Sequence, residues 1–97
     1  MIVGVARVTL TLPGVTSLKG KRSVVKSLLA RLQNRFNVSA SEVEAHDRHG
    51  VAVIGITCAS TSAAHADEML AGAIRFVETN GAEYYLADVQ TETLPAL

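Results

Sequence analysis

Apolar and polar residues recur along the chain with periods that divide it into six predicted elements. Residues 2–12 are rich in β-branched side chains and alternate between an apolar face and a more polar one, which is typical of a strand. Pro13 and Gly14 are expected to end this strand. Its predicted buried face carries Ile2, Ala6, Val8, Leu10 and Leu12.

The next segment has the period of an α-helix. Its apolar residues recur at spacings of three, four and seven, so they form one stripe along a helix. Ser17 is the predicted N-cap, because its hydroxyl can accept an otherwise unpaired backbone N–H, and Asn37 is the predicted end. The stripe consists of Leu18, Val25, Leu28, Leu29, Leu32 and Phe36.

Residues 38–60 predict a β-hairpin whose turn lies near residues 47–50, where Gly50 can adopt a positive φ at low cost. Glu42 and Glu44 are expected on one face of its first strand, unless a bulge changes the parity. The predicted buried face of its second strand carries Ala52, Ile54, Ile56 and Cys58.

The last third of the chain predicts a second helix and a final strand. The helix begins after its N-cap Ser62 and ends before Gly81, and the strand covers residues 83–94 and ends at Pro95. The buried stripe of this helix is predicted to contain Ala66, Met69, Leu70, Ala73, Ile74 and Val77.

The order β-α-β-β-α-β predicts an α+β fold of the ferredoxin-like type, in which two helices cover one face of a four-stranded antiparallel sheet. A length of 97 residues predicts one domain, residues 1–97, with a core of its own. The one cysteine excludes an internal disulfide, the N-terminus lacks the features of a secretory signal, and no apolar run reaches the roughly 18 residues of a membrane span. We therefore expect a cytoplasmic protein that does not use a membrane.

The formal net charge of zero hides an asymmetry. Residues 1–36 carry seven basic side chains and no acidic one, whereas residues 37–97 carry two basic and nine acidic side chains. On a helical wheel the basic residues of the first helix form two ridges that flank its apolar stripe, and Lys21 near the helix start is expected to extend outward. Such a surface favours an anionic partner, with phosphates of RNA as the first hypothesis. The candidate nucleic-acid-binding residues are Lys19, Lys21, Arg22, Lys26, Arg31 and Arg35.

No motif predicts catalysis, a metal or a cofactor. The chain lacks G-x-S-x-G, P-loop and H-E-x-x-H patterns, and Cys58 falls on a buried strand face where a thiol is a small core residue. His46, Asp47 and His49 lie together at the hairpin turn, but a metal site needs three or four ligands with support behind them, so a solvated turn is expected.

Two other functions of this fold need residues that this chain does not have. An RNA-recognition motif stacks bases on aromatic rings of the central strands, and the open-facing positions of those strands carry none. An acylphosphatase would need an anion-binding loop after the first strand and an asparagine on a strand. Two further interpretations stay open, namely a basic face that only meets water and a homodimer formed through opposite ends or through the open sheet face. The apolar residues of that face are Val3, Val5, Val51 and Val53.

The segments LPGVTSLKGKR, RFNVSASE and HADEMLAGAIRFVE resemble the YlxP-like family of small bacterial proteins of unknown function, domain of unknown function 503. The resemblance covers nearly the whole chain and implies a ferredoxin-like fold, no established activity and a link to the ribosome through neighbouring genes. Gly20 stands where the family commonly has an acid, which leaves the helix more basic. The turn HDRHG lacks the tryptophan that the family often has there, so a role that rests on that ring is not expected.

Overall fold

The computed structural model describes all 97 residues and confirms the predicted order of elements. The four strands form one antiparallel sheet in which the second strand pairs with the third, the third with the first and the first with the fourth. The second and fourth strands are therefore its edges. Both helices cover the same face, which gives the ferredoxin-like α+β arrangement. The elements are β1 Ile2–Thr11, α1 Leu18–Arg35, β2 Ser39–Glu44, β3 Val51–Ser60, α2 Ala63–Thr79 and β4 Tyr85–Pro95.

The core lies between the sheet and the two helices, and the predicted buried faces of β1 and β3 are confirmed. Alternate residues of these two central strands meet the apolar stripes of α1 and α2, because successive strand side chains point to opposite faces. Leu18 and Leu29 of α1 and Phe36, which caps its C-terminus, are only partly covered. The fully enclosed side chains of the sheet include Val8, Leu10, Ile54 and Ile56.

Both predicted N-caps are confirmed. The hydroxyl of Ser17 accepts a hydrogen bond from the backbone N–H of Gly20 at 3.0 Å, and that of Ser62 accepts one from His65 at 3.2 Å. Each cap satisfies one of the amide groups that the first turn of a helix leaves unpaired. At its other end α1 stops at Arg35, two residues before the predicted end.

A bulge in β2 places its two glutamates on opposite faces of the sheet. The pairing with β3 shifts between Glu42, which lies opposite Ile54, and Glu44, which lies opposite Val53. Because one inserted residue reverses the side-chain alternation, Glu42 points to the helices and Glu44 to the open face. The two glutamates therefore do not share one face, and the exception allowed for a bulge applies.

The hairpin turn adopts its positive φ at Ala45, not at Gly50. Ala45 has a φ of 60°, and no glycine of the chain has a positive φ. The carbonyl of Ala45 accepts the backbone N–H of Arg48 at 3.0 Å and the ammonium group of Lys21 at 2.6 Å. These two bonds compensate for a backbone conformation that residues other than glycine rarely adopt.

Gly81, which follows α2, is required by packing. Its φ is not positive, but a Cβ atom at this position would overlap the ring of Tyr84. That ring is 5% exposed, and its hydroxyl donates a hydrogen bond to the carbonyl of Val77 at 2.6 Å. The glycine therefore allows Tyr84 to fold back against the last turns of α2. Neither helix of the protein combines the length and the apolar character needed to cross a membrane.

Candidate functional site

Helix α1 presents five basic side chains to solvent without a carboxylate partner. The protein has two ion pairs with an N–O distance of 4.0 Å or less, Arg7 with Glu44 and Lys21 with Glu42, and neither uses these five residues. The first turn of α1 also lacks an acid. Their charges are therefore available to a partner. The five residues are Lys19, Arg22, Lys26, Arg31 and Arg35.

One flank of this basic surface lies beside the edge strand β2. Arg22 and Lys26 line a shallow groove there with Leu29, Gln33 and Glu42. The side chain of Gln33 accepts the outward-facing backbone N–H of the buried Ala40 at 3.4 Å, which ties the helix to the strand edge. The stems of the two basic side chains lie along an apolar surface while their charges stay in water.

The other flank faces α2. The guanidinium carbons of Arg31 and Arg35 lie 5.9 and 5.4 Å from the ring centre of Phe76, within the range of a cation–π interaction. Phe76 in turn meets Phe36 edge to face, with ring centres 5.7 Å apart and planes at 71°. The structure thus places the predicted ridge of Arg31 and Arg35 on the flank opposite Arg22 and Lys26, and the Phe76 ring supports it.

Lys21 does not belong to this surface, and the prediction that it extends outward is wrong. Its side chain is 0% exposed, and its ammonium group has three oxygen partners. These are the carbonyls of Ala45 and Val51, at 2.6 and 3.1 Å, and Oε2 of Glu42, at 2.8 Å. Two carbonyls accept hydrogen bonds from this buried ammonium group and Glu42 is its ion-pair partner, so Lys21 does not face a phosphate.

The helical period places Lys21 on the side of α1 that faces the sheet. It lies four residues before Val25 and seven before Leu28, both of which are buried. The side chain of Glu42 is 14% exposed, and its buried Oε2 has this ammonium group as its ion-pair partner and no hydrogen-bond partner. The pair joins the first turn of α1 to the β2–β3 hairpin beneath the basic surface.

The open face of the sheet is less apolar than the sequence suggested. Val53, expected to be exposed there, is 7% exposed. Arg7 crosses the middle of the face, with Nη1 3.1 Å from Glu44 and Nη2 donating to Gln90 at 2.5 Å. Three large apolar residues of this face are well exposed, at 46%, 44% and 70%, but they lie far apart. They are Val43, Leu94 and Tyr85.

The histidines of the hairpin turn contact separate backbone carbonyls. A ring nitrogen of His46 lies 3.0 Å from the carbonyl of Glu42, and one of His49 lies 3.1 Å from that of Val15. The turn is therefore fastened to β2 and to the loop before α1. Cys58 is 7% exposed in the core, and its thiol points to the carbonyl of Ala66 at 3.9 Å, as expected for a small core residue.

Sequence reasoning missed the contribution of α2 and the segment after it. Phe76 and Asn80 line the space beside Arg31 and Arg35, and Tyr84 closes its far end. Burial raises the pKa of the Tyr84 phenol above its ordinary value, and the nearby charge of Arg31 partly opposes this effect. Phe76 falls beside the predicted stripe of α2, so its helical position was the one signal that could have indicated it.

The fold and the surface together define a small ferredoxin-like α+β protein with an exposed basic helix. The chain belongs to the family described as "Protein of unknown function (DUF503)", whose model matches residues 3–91. It is similar to "Uncharacterized protein YlxP" of Bacillus subtilis (strain 168), with 33% identity over 78 residues. This match covers 80% of the chain and 85% of the relative. The resemblance stated from the sequence motifs is confirmed.

Proposed function

We propose that this protein is a non-enzymatic, RNA-associated accessory protein that binds phosphates through α1. The observation that supports the proposal is the set of five exposed cations on this helix, none of which has a carboxylate within 4.0 Å. Basic residues spaced by four along a helix repel one another, and an acid placed between them would relieve that repulsion. Bound phosphates would relieve it as well.

Phosphate contacts of this kind position a protein on RNA without reading its sequence. Each contact releases condensed counterions, so affinity should fall as salt rises, with a slope of up to about −3.5 if all five cations meet a single strand. We propose ribosomal RNA in the ribosomal particle as the partner, in the cytoplasm. The link to the ribosome that the family resemblance implies supports this choice.

Co-sedimentation with ribosomal particles from the same cell, over roughly 50 to 300 mM salt, tests the proposal. We expect binding that weakens with salt, is lost after nuclease treatment and is abolished by Arg22→Glu with Lys26→Glu. The matched control is Arg48→Glu with Arg75→Glu, which changes the net charge equally but lies outside α1. Binding that survives the first double variant, or falls equally in both, would refute the proposal.

A homodimeric interaction module that uses the open sheet face is the alternative. The exposure of Val43 and Leu94, at 46% and 44%, supports it, whereas the Arg7–Glu44 ion pair on the same face makes that face more polar. Light scattering at high protein concentration tests whether the protein forms the dimer that this alternative requires. A dimer mass that Val43→Asp reduces to that of a monomer would support the alternative, and a monomer mass for the unchanged protein would count against it.

A further inference from the structure

The space between α1 and α2 has features that the basic helix alone does not explain. Arg31 and Arg35 share it with Asn34, Phe76 and Asn80, so two cations, an aromatic ring and two side-chain amides line one groove. Because Arg31 and Asn80 also line the neighbouring depression, the groove continues along α1 towards residues 82–84. The other flank of α1 offers neither an aromatic ring nor an asparagine.

Both guanidinium groups have contacts within the protein. Each lies over the Phe76 ring, and the Phe36 ring fixes Phe76 from the side. Nε of Arg31 is also directed to the carbonyl of Ser27, at 3.4 Å, which leaves both of its Nη atoms free. The planar fork of donors on a guanidinium group suits the oxygens of a phosphate better than a flexible ammonium group does.

Unpaired hydrogen-bonding groups continue the groove beyond the arginines. The hydroxyls of Ser23 and Ser27 and the carboxylate of Glu83 line it, and none has a hydrogen-bond partner in the protein. The amide nitrogen of Asn80 bonds to the carbonyl of Phe76 at 3.0 Å, which leaves its oxygen free. Hydroxyls, amides and carboxylates are the groups that recognise the polar edges of bases.

A recessed groove of this kind suits an unpaired base, which can turn its edge towards the protein. In an A-form duplex the base edges lie in a deep, narrow groove or a shallow one, whereas single-stranded loops and ends can expose them. The geometry points to a nucleotide site between α1 and α2 that takes single-stranded RNA, with a phosphate on Arg31 and Arg35 and the adjoining base directed to Glu83. This inference rests on the proposed function and names the form of RNA that the basic helix binds.

Fluorescence anisotropy with a single-stranded RNA of about 12 nucleotides and with a duplex of the same length tests the inference. The unchanged protein should bind the single strand about tenfold more tightly, the scale of one or two base contacts. Arg31→Lys with Arg35→Lys should remove most of this preference while keeping the charge. Arg48→Lys with Arg75→Lys, outside α1, is the matched control and should leave the preference unchanged, with thermal melting to confirm that each variant is folded.

Each result decides between the two proposals. Equal affinity of the unchanged protein for single strand and duplex would overturn the site but leave phosphate binding standing. Equal loss of preference in Arg48→Lys with Arg75→Lys and in Arg31→Lys with Arg35→Lys would do the same. No binding to either RNA at low salt would overturn both. If the lysine variants do not fold, the exposed Glu83→Ala replaces them, with Glu68→Ala as control. Glu83→Ala should change the order of affinities for oligo(A), oligo(C) and oligo(U), and an unchanged order would count against the site.

Discussion

The ammonium group of Lys21 lies 2.8 Å from Oε2 of Glu42, and this contact links the first turn of α1 to the edge strand β2. The lysine is fully buried and the glutamate nearly so. Charges removed from water must find partners, and here each charge has the other. The contact therefore fixes the position of the helix that carries the five exposed cations.

Replacing Lys21 by methionine should destabilise the protein by about 3–5 kcal/mol, because the carboxylate of Glu42 would stay buried without a counter-charge. Urea denaturation followed by circular dichroism measures the change in free energy of unfolding. Lys26→Met, on the exposed surface of the same helix, is the control and should change it by no more than about 0.5 kcal/mol. A Lys21→Met variant as stable as the unchanged protein would contradict the role of the pair.

A second variant separates the effect of the unpaired buried charge on stability from the effect of lost packing. Adding Glu42→Leu to Lys21→Met should recover much of the lost stability, since buried ion pairs are often replaced by apolar residues at little cost. A double-mutant cycle then gives the coupling energy between the two side chains. Simple addition of the two single effects would show that they do not interact.

Gly81→Ala should destabilise the protein by about 1–3 kcal/mol, because a methyl group there overlaps the Tyr84 ring and the ring must move. When the ring moves, the hydrogen bond from the Tyr84 hydroxyl to the Val77 carbonyl would weaken. Gly14→Ala is the control, since a Cβ atom at Gly14 meets nothing within 4 Å. Chemical denaturation of both variants checks the prediction, and equal stabilities would exclude the close approach of Tyr84.

Tyr84 should make stability depend on pH in the alkaline range. Burial raises its pKa in the folded protein, so near pH 10 the unfolded chain loses this proton while the folded one keeps it. The stability that neutral Tyr84 provides is complete below pH 10 and declines as pH rises through the folded pKa. The free-energy difference between the unchanged protein and Tyr84→Phe should therefore shrink above pH 10. A difference that stays constant to about pH 11 would contradict this prediction.

The salt dependence of RNA binding should separate exposed cations from the buried one. Replacing Lys19 or Lys26 by glutamine should reduce the slope of log affinity against log salt by about 0.7 per residue on single-stranded RNA. Lys21→Met combined with Glu42→Leu should leave the slope unchanged, because the ammonium of Lys21 already has three partners in the fold. Anisotropy titrations at several salt concentrations give the slopes, and a reduced slope in the Lys21 variant would place that residue among the phosphate contacts.

The sequence predicted the elements because their signals are local. The alternation in β1 and the helical period of α1 depend on neighbours within a few residues, and so do the hydroxyl caps at Ser17 and Ser62. The family motifs pointed to the same architecture. The two basic ridges of α1 could be placed for the same reason, since a helical wheel needs only the spacing of residues along one helix.

The burial of Lys21 could not be predicted from the helical period. Its helical position alone allows a long stem to extend outward or to lie beneath the hairpin. The choice depends on Glu42, which points from the edge strand β2 to the helices, and on the left-handed Ala45, whose carbonyl meets the ammonium group. These partners lie 21 and 24 residues away along the chain, and only the packing of β2 against α1 brings them to Lys21.

By itself the sequence determined the order of elements, the buried faces of the central strands and the presence of a basic helix, because periodicity is a local property of a chain. The tertiary structure alone decided which cations remain free and which flank of α1 receives the Phe76 ring. The physical reason is that burial and pairing of a charge depend on groups distant in sequence, and folding brings those groups together.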